Sequence, residues 1–257
     1  MTENSDDSIM GNILHHNHRK KHECDDENKP SEPFIGEVIF YFVKSITSRA
    51  SRRDIDGDLI PVMSETDEDE FINLLSKLSG EDLGLEEHSH LQIVPPTPFP
   101  LQDIRYFHIH ELEDQYSIGI FFMPPHTEMP LHDHPYMWVF SRILTGSVAI
   151  TSLDWINPND KPCSETTKRR ARLTEKGFFH APNTVFLTPE KRNMHMIKAG
   201  SQGCAFLDIL IPPYNENNLK RDCSYYEMEP TKDSGIFDLS LTEPSASFNI
   251  VRGTLDV

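Results

Sequence analysis

A series of short β-prone segments fills the middle of this sequence and restricts its fold more than any other feature. Each segment is rich in β-branched and aromatic residues, and proline, glycine, asparagine or aspartate separates it from the next. Thr145-Gly146 has the composition of a hairpin turn between two of them. Short strands at this spacing predict an antiparallel barrel or sandwich. The segments are 116–123, 138–144, 147–155, 184–187, 194–198 and 204–211.

The N-terminal third has a different composition. Residues 1–32 contain almost no apolar side chains, which predicts a disordered tail. Residues 33–90 predict a helical extension, with one amphipathic helix over 34–48 and a second that begins at Ser64 or Thr66 and ends at Gly80. We expect an acidic loop at 52–63 between the helices, a barrel domain at 91–232 and a C-terminal segment at 233–257.

Charge and cysteine usage exclude several classes of protein. The chain has 24 Lys and Arg against 41 Asp and Glu, a net charge of −17, which argues against binding to nucleic acid. The longest apolar runs are about ten residues, half of what a membrane-spanning helix needs. Widely spaced cysteines without a CxxC pattern, and a start without a leader signal, predict reduced thiols in the cytoplasm or the nucleus. No zipper pattern is present, so we expect a monomer.

Histidine is abundant, and its spacing indicates a metal site. The chain has 13 histidines, and the pattern His-x-His occurs four times. On a strand, such a pair shares one face at about 6.7 Å between Cα atoms, close enough to bind one metal ion together. We expect three of the four pairs to be ordinary, on the surface or on an edge strand: His16/His18, His88/His90 and His108/His110.

The fourth pair has the context of a ligand set. His132 and His134 follow a proline-rich loop and stand at the entry of a strand. A metal site needs further ligands, and His195, inside an apolar strand, is the best candidate for the third; the alternative is a hydrogen-bonded core histidine. Imidazole ligands suit iron, zinc, copper or nickel, so the residues alone leave the metal open.

Asp208 is the second anomaly of the β region. It lies in an otherwise apolar segment, 204–211, where a carboxyl group must be paired or protonated. Two interpretations remain open. The carboxyl group either has a structural hydrogen-bonding role or lies beside a metal or substrate.

These residues stand in blocks that carry a family resemblance from about residue 66 to 228. The blocks Pro130-Leu-His-Asp-His-Pro135, Asn193-Met-His195 and Phe206-Leu-Asp-Ile-Leu-Ile-Pro-Pro-Tyr214 are similar to those of the cysteamine dioxygenase and plant cysteine oxidase family. The resemblance implies a mainly β fold, a cupin-type antiparallel β-barrel (double-stranded β-helix), here with N-terminal helices.

The resemblance also implies an activity. The family's Fe(2+) ligands fall on His132, His134 and His195, and Val139 stands where other cupins have a glutamate. The implied reaction inserts both atoms of O2 into the sulfur of an aminothiol to give a sulfinic acid. The substrate is then the N-terminal cysteine of a protein or peptide, free cysteine or cysteamine.

Four further residues match functional positions of the family. Asp208 matches a pocket aspartate that is expected to orient the substrate amine or exchange protons with it, and Tyr214 matches a pocket tyrosine. Cys223 and Tyr225 match a pair that becomes a thioether cross-link; the alternative is two ordinary loop residues.

The chain also departs from the family pattern. Tyr136 replaces a glycine, Lys191-Arg192 replaces two glycines, and Arg142 is either a basic pocket residue or exposed. Two other functions therefore stay open. One is a different cupin reaction on the same metal, and the other is a metal-stabilised cupin that binds a ligand without catalysis.

Overall fold

The computed structural model describes residues 39, 41–45, 51–53, 59–79, 81–83, 103–157, 167–215 and 221–253. The predicted tail at 1–32, with His16 and His18, lies outside the described residues, and so do His88 and His90.

The described elements are mostly strands. Helix α1 spans Glu65–Ser76, a short 3-10 helix spans Glu81–Leu83, and residues 39 and 41–45 are also helical. The strands are β1 (Ser51–Arg53), β2 (Leu59–Pro61), β3 (Ile104–Leu112), β4 (Tyr116–Met123), β5 (Glu128–Asp133), β6 (Trp138–Trp155), β7 (Arg169–His180), β8 (Thr184–Leu187), β9 (Met194–Ile211), β10 (Tyr225–Pro230), β11 (Ile236–Thr242) and β12 (Ile250–Gly253).

Ten of these strands form one sheet that closes on itself. The order is β12-β3-β4-β9-β5-β10-β11-β7-β6-β8, and an additional pairing of β9 with β6 closes a ring. The ring contains six strands, β5, β9, β6, β7, β11 and β10, and every pairing in it is antiparallel. The mainly β, cupin-type barrel predicted from the sequence is confirmed.

The predicted hairpin turn at Thr145-Gly146 is wrong. β6 runs continuously for 18 residues, and so does β9, which joins the predicted segments 194–198 and 204–211. Gly146 and Gly203 have φ near +72° and +73°, and a Cβ atom at Gly146 would lie 2.0 Å from the carbonyl oxygen of Gly203. These glycines therefore form bulges in the antiparallel pairing of the two long strands, since a left-handed residue fits a bulge as well as a turn.

β6 and β9 each belong to two parts of the sheet. The N-terminal half of β6 and the C-terminal half of β9 pair with each other, and they also pair with β8 and β4, respectively. The C-terminal half of β6 and the N-terminal half of β9 pair with each other, and they also pair with β7 and β5, respectively. Side chains alternate between the faces of a strand. Leu131, Leu153 and Met194 therefore pack in one apolar cluster. His132 and His195, their neighbours in sequence, point to the opposite face.

α1 begins as predicted. Ser64 accepts a hydrogen bond from the backbone of Asp67, and the Asp67 side chain accepts one from Ser64 in return, which forms a capping box. The helix buries Phe71 and Leu75, and the Phe71 ring packs edge-on at 4.7 Å from the ring of Phe140. The predicted acidic loop at 52–63 is wrong in part, because β1 and β2 pair antiparallel within it.

Arg142 connects α1 to the barrel and is buried, not exposed. Its Nε donates to the carbonyl of Leu78 at 3.1 Å, its Nη2 donates to the carbonyl of Ser76 at 2.7 Å, and its Nη1 donates to the carbonyl of Pro182. The bonds to Ser76 and Leu78 satisfy carbonyls at the C-terminal end of α1, which has no later turn to bond them, and the bond to Pro182 attaches Arg142 to the connection between β7 and β8. The guanidinium donors are therefore used for structure.

The last strands are part of the same sheet. β11 pairs with β7 and β10, and β12 pairs in parallel with β3. β12 pairs with β3 only at Ile104–Phe107, so within the described residues His108 and His110 lie on the part of β3 that pairs with β4 alone, as predicted for an edge strand. Within the described residues, no helix is long and apolar enough to cross a membrane.

Replacing Arg142 with methionine is expected to lower the free energy of unfolding by about 3 kcal/mol, since several buried carbonyl groups would lose their donors. Chemical denaturation measures the change. The matched control is Arg170→Met on the surface, where the side chain is 60% exposed and the expected change is within about 0.5 kcal/mol. Equal effects of the two substitutions would contradict the structural role of Arg142.

Candidate metal centre

Three buried histidines meet on one face of the barrel. His132 on β5 lies directly opposite His195 on β9, and His134 follows the end of β5. Their candidate ligand atoms all lie within 4.8 Å of one another. The Nε2 atoms of His134 and His195 are 3.1 Å apart. The three side chains proposed as ligands from the sequence are therefore brought together.

Hydrogen bonds to the opposite ring nitrogens turn two of the Nε2 atoms inward. Nδ1 of His132 is 2.8 Å from the carbonyl oxygen of Pro130, which can only accept, so this nitrogen carries the proton. Tyr214 donates its hydroxyl hydrogen to the carbonyl of Asp133 and therefore accepts from Nδ1 of His134, at 2.8 Å. Both histidines thus keep the Nε2 lone pair for a ligand, as metal-binding histidines do.

The donor set fits a divalent transition metal. Two nitrogens bonded to one ion at about 2.1 Å lie at most about 4.2 Å apart, and the 3.1 Å between His134 and His195 meets this limit. The ligand atoms of the three histidines lie within 4.8 Å of one another, so the widest pair needs to approach by at most about 0.6 Å to share one ion. Burial lowers the pKa of all three imidazoles, and the pKa values of His134 and His195 fall well below the usual range. The neutral form, which binds metals, is therefore the stable one. The triad is therefore a candidate metal site.

Asn193 fixes the turn before His195 to the backbone of His134. Its side-chain nitrogen donates to the carbonyl of His134 at 2.6 Å, and its side-chain oxygen accepts from the amide of His134 at 3.3 Å. Its own amide donates to Asp154 at 3.0 Å. Sequence reasoning placed Asn193 in a motif but gave it no role, because these contacts join residues about sixty positions apart.

Asp133, between the two histidines of the pair, is a buried carboxylate that sequence reasoning missed. It accepts hydrogen bonds from the amide of Ser224 and the hydroxyl of Tyr226, both at 2.9 Å. It therefore attaches the strand that carries His132 to the start of β10. An acid inside a motif that is otherwise buried is the sequence signal that would have found it.

Tyr214, Cys223 and Tyr225 lie together beside the triad. The Cys223 thiol forms hydrogen bonds with the hydroxyls of both tyrosines, and burial raises its pKa to about 12, so that it stays protonated. Tyr225 pairs with His132 across β10 and β5, with the two ring centroids 6.1 Å apart. The three residues thus form one group in contact with His132 and His134.

Asp208 lies on β9 and is buried beside Ser141. The hydroxyl of Ser141 donates to its carboxyl group, and burial raises the pKa of Asp208 to about 7. Gly119 on β4 pairs with Asp208, and the ring of Tyr106 fills the space beside Gly119. A Cβ atom at Gly119 would lie 2.2 Å from the nearest carbon of that ring. Because its pKa is about 7, the carboxyl group of Asp208 can exchange a proton near neutral pH.

A small cavity of about 20 Å3, room for about one water molecule, opens beside His195. Arg192, one of the departures from the resembled family, lines it. Tyr136 and Arg192 have φ of 63° and 61°, values that residues other than glycine rarely adopt. Its lining residues are Val139, Ser141, Ile150, Ser152, Glu175, Val185, Phe186, Leu187, Arg192, His195 and Ile197.

The pKa of Asp208 predicts a dependence of stability on pH in the metal-free protein. Because the folded-state pKa is raised to about 7, the contribution of Asp208 to stability is complete below about pH 4 and is lost as the pH rises through 7. The slope from this one group is at most about 1.4 kcal/mol per pH unit. Asp208→Asn is expected to remove it, as measured by denaturation between pH 4 and 8.

The control for this experiment is Asp233→Asn, whose carboxylate is 65% exposed and which is expected to leave the slope unchanged. Parallel stability profiles for the wild type and Asp208→Asn would show that the carboxyl group is ionised over the whole range.

The chain is similar in sequence to several curated proteins. Plant cysteine oxidase 1 of Arabidopsis thaliana is 45% identical over 125 residues, which is 48% of this chain and 41% of that protein. The 2-aminoethanethiol dioxygenase of Homo sapiens is 33% identical over 180 residues, which is 62% of this chain and 65% of that protein. The chain thus spans about half the length of these curated relatives.

Among solved structures, a cupin superfamily protein from Desulfitobacterium hafniense aligns with a TM-score of 0.32 and 15% identity, over 45% of this chain and 84% of that one. The family model PCO_ADO matches residues 74–250, which include all three histidines of the triad. Since the match covers more than half of its 257 residues, the chain belongs to the PCO_ADO family.

Proposed function

We propose that this protein is a non-haem iron thiol dioxygenase that inserts both atoms of O2 into the sulfur of an aminothiol. The observation that carries the proposal is the cluster of three buried imidazoles without a carboxylate among the described ligand atoms. Three neutral ligands leave the charge of a divalent ion uncompensated, which favours an anionic thiolate as a further ligand. Membership of the PCO_ADO family supports the same reaction.

The reaction balances as RSH plus O2 giving RSO2H. Sulfur loses four electrons, and both oxygen atoms gain two each as they become bonded to it. When bound by His132, His134 and His195, Fe(II) would supply the redox chemistry and lower the pKa of the thiol. The protein groups bind the substrate, exclude water and move its protons.

Asp208 is the group that we assign to the substrate amine. Its carboxyl group has a pKa of about 7, so it accepts a proton from an ammonium group or hydrogen-bonds to the amine near neutral pH. Ser141 orients it and also lines the cavity beside His195. This arrangement supports an aminothiol as the substrate class: an N-terminal cysteine of a protein or peptide, free cysteine or cysteamine.

Tyr214 positions His134 through the hydrogen bond to its Nδ1 atom, and its hydroxyl group also contacts the thiol of Cys223. We also propose that Cys223 and Tyr225 form a thioether. The Cys223 sulfur bonds to a ring carbon of Tyr225, and the two hydrogens that are lost pass to O2. The hydrogen bond between the two side chains supports this pairing.

We place the protein in the cytoplasm or nucleus as a monomer. Cys204 and Cys223 are free thiols, which is typical of a reducing compartment. The large apolar side chains exposed among the described residues lie on different elements, so they form no evident interface: Tyr41, Val62, Tyr136, Ile156, Phe178 and Ile250.

Iron-loaded protein is expected to add two oxygen atoms to a Cys-initiated peptide, to free cysteine or to cysteamine. Mass spectrometry of the products, after incubation under O2 enriched in a heavy isotope, is expected to show both heavy atoms in one sulfinic acid. His195→Ala is expected to lower the rate by at least about 10²-fold, because one ligand of the metal is lost.

The matched control is His180→Ala, an exposed histidine on β7, which is expected to keep full activity. If chelators destabilise the protein and no thiol is oxidised, the protein is a metal-stabilised binding module. If a product other than the sulfinic acid accumulates, the active site catalyses a different cupin reaction.

A further inference from the structure

The cavity beside the triad contains one cationic and one anionic side chain. Of the residues that line it, only Glu175 and Arg192 carry a charge, since the imidazole of His195 is neutral. The other lining residues are apolar apart from Ser141 and Ser152. Any charged group of a substrate that enters therefore meets these two side chains.

Register places both charges near the metal ligands. His195 on β9 lies opposite Ser152 on β6, and Ser152 lies opposite Glu175 on β7, so the three residues form one row across adjacent strands. Neighbouring strands are about 4.8 Å apart, which puts the Glu175 backbone about 10 Å from that of His195. Nε of Arg192 is 3.6 Å from Glu175. The guanidinium group therefore lies within reach of a molecule bound at the triad.

The Arg192 backbone is held in a conformation that favours glycine. Its φ of 61° costs a residue with a side chain about 1 kcal/mol or more. The turn is fixed on both sides, by hydrogen bonds between Thr188 and Lys191 and by the contacts of Asn193. Strained residues of this kind concentrate at functional sites, where the side chain has a use that offsets the strain.

The guanidinium group keeps donors available for a ligand. Within the described residues its contacts are long: 3.6 Å to Glu175, 3.5 Å to the carbonyl of Phe186, and 5.5 Å to the centre of the Phe186 ring. The side chain is 38% exposed. Arginine offers five donors in a planar group that matches a carboxylate. Arg142, by contrast, spends its donors on backbone carbonyls.

From these observations we propose that Arg192 is a specificity-determining residue that binds the oxygen of the carboxylate or carbonyl group attached to the carbon that bears the substrate amine. This inference rests on the proposed function and deepens it. Free cysteine offers a carboxylate at that place, a Cys-initiated peptide offers a carbonyl oxygen, and cysteamine offers neither. Arg192 therefore favours cysteine most, the peptide less, and cysteamine not at all. Glu175 competes with the substrate for the guanidinium group and holds it in place when the cavity is empty.

The direct test is anaerobic calorimetry of metal-loaded protein with cysteine, a Cys-initiated peptide and cysteamine. Arg192→Gln is expected to weaken cysteine binding about tenfold or more, because a charge-assisted bidentate contact is lost. The change for cysteamine is expected to stay within about twofold. Steady-state kinetics are expected to show the same pattern in KM, with little change in kcat.

Two further variants separate binding from folding. Arg192→Gly is expected to raise thermal stability, since the strain is relieved, and still to lose the preference for cysteine. Glu175→Gln is expected to tighten the binding of cysteine but not of cysteamine, because the competing carboxylate is removed. Arg170→Gln, on the exposed face of β7, is the control and is expected to change neither.

Equal weakening of cysteine and cysteamine by Arg192→Gln would overturn the inference, and so would unchanged binding of cysteine. Because calorimetry detects binding without turnover, these outcomes are distinct from failure of the proposed function, in which wild-type protein oxidises none of the three thiols.

Discussion

The pairing of β5 with β9 that sets His132 opposite His195 is the constraint on which the site depends. A shift of β5 by one residue against β9 would turn His132 to the other face of the sheet, away from His195, and bring a neighbour such as Leu131 into its place. β6 and β9 pair antiparallel along most of their length, and His195 lies opposite Ser152 in that pairing. The candidate metal site therefore depends on how β9 pairs with both of its neighbours, β5 and β6.

Burial gives the imidazoles their chemistry and also creates a cost. It keeps the three rings neutral, since each pKa is lowered by loss of water. Polar groups around them must then find partners inside the protein. Asp133, Asn193 and Tyr214 meet this need by joining the His132–His134 segment to β10, to the turn before β9 and to the loop after it. These three side chains thus satisfy buried polar groups and also hold the histidines of the triad in position.

Local patterns predicted those features that local chemistry decides. The helix start at Ser64, the positions of β4, β6, β8 and β9, the histidine triad and the anomalous Asp208 follow from residue type and spacing. The continuity of β6 did not, because a glycine with positive φ fits both a turn and a bulge, and only the distant strand β9 decides between them. Arg142 and Arg192 look alike in sequence, yet one caps a helix and the other faces a cavity, which only tertiary packing determines.

X-ray absorption at the iron edge tests the central claim, that three imidazoles hold one ion which then takes up a thiolate. Anaerobic, iron-loaded protein is expected to contain one ion per chain with nitrogen and oxygen neighbours at about 2.1 Å. Addition of a Cys-initiated peptide is expected to bring one sulfur atom at about 2.3 Å into the coordination shell. Iron that binds equally well to His195→Ala, or a spectrum that the peptide leaves unchanged, would contradict the claim.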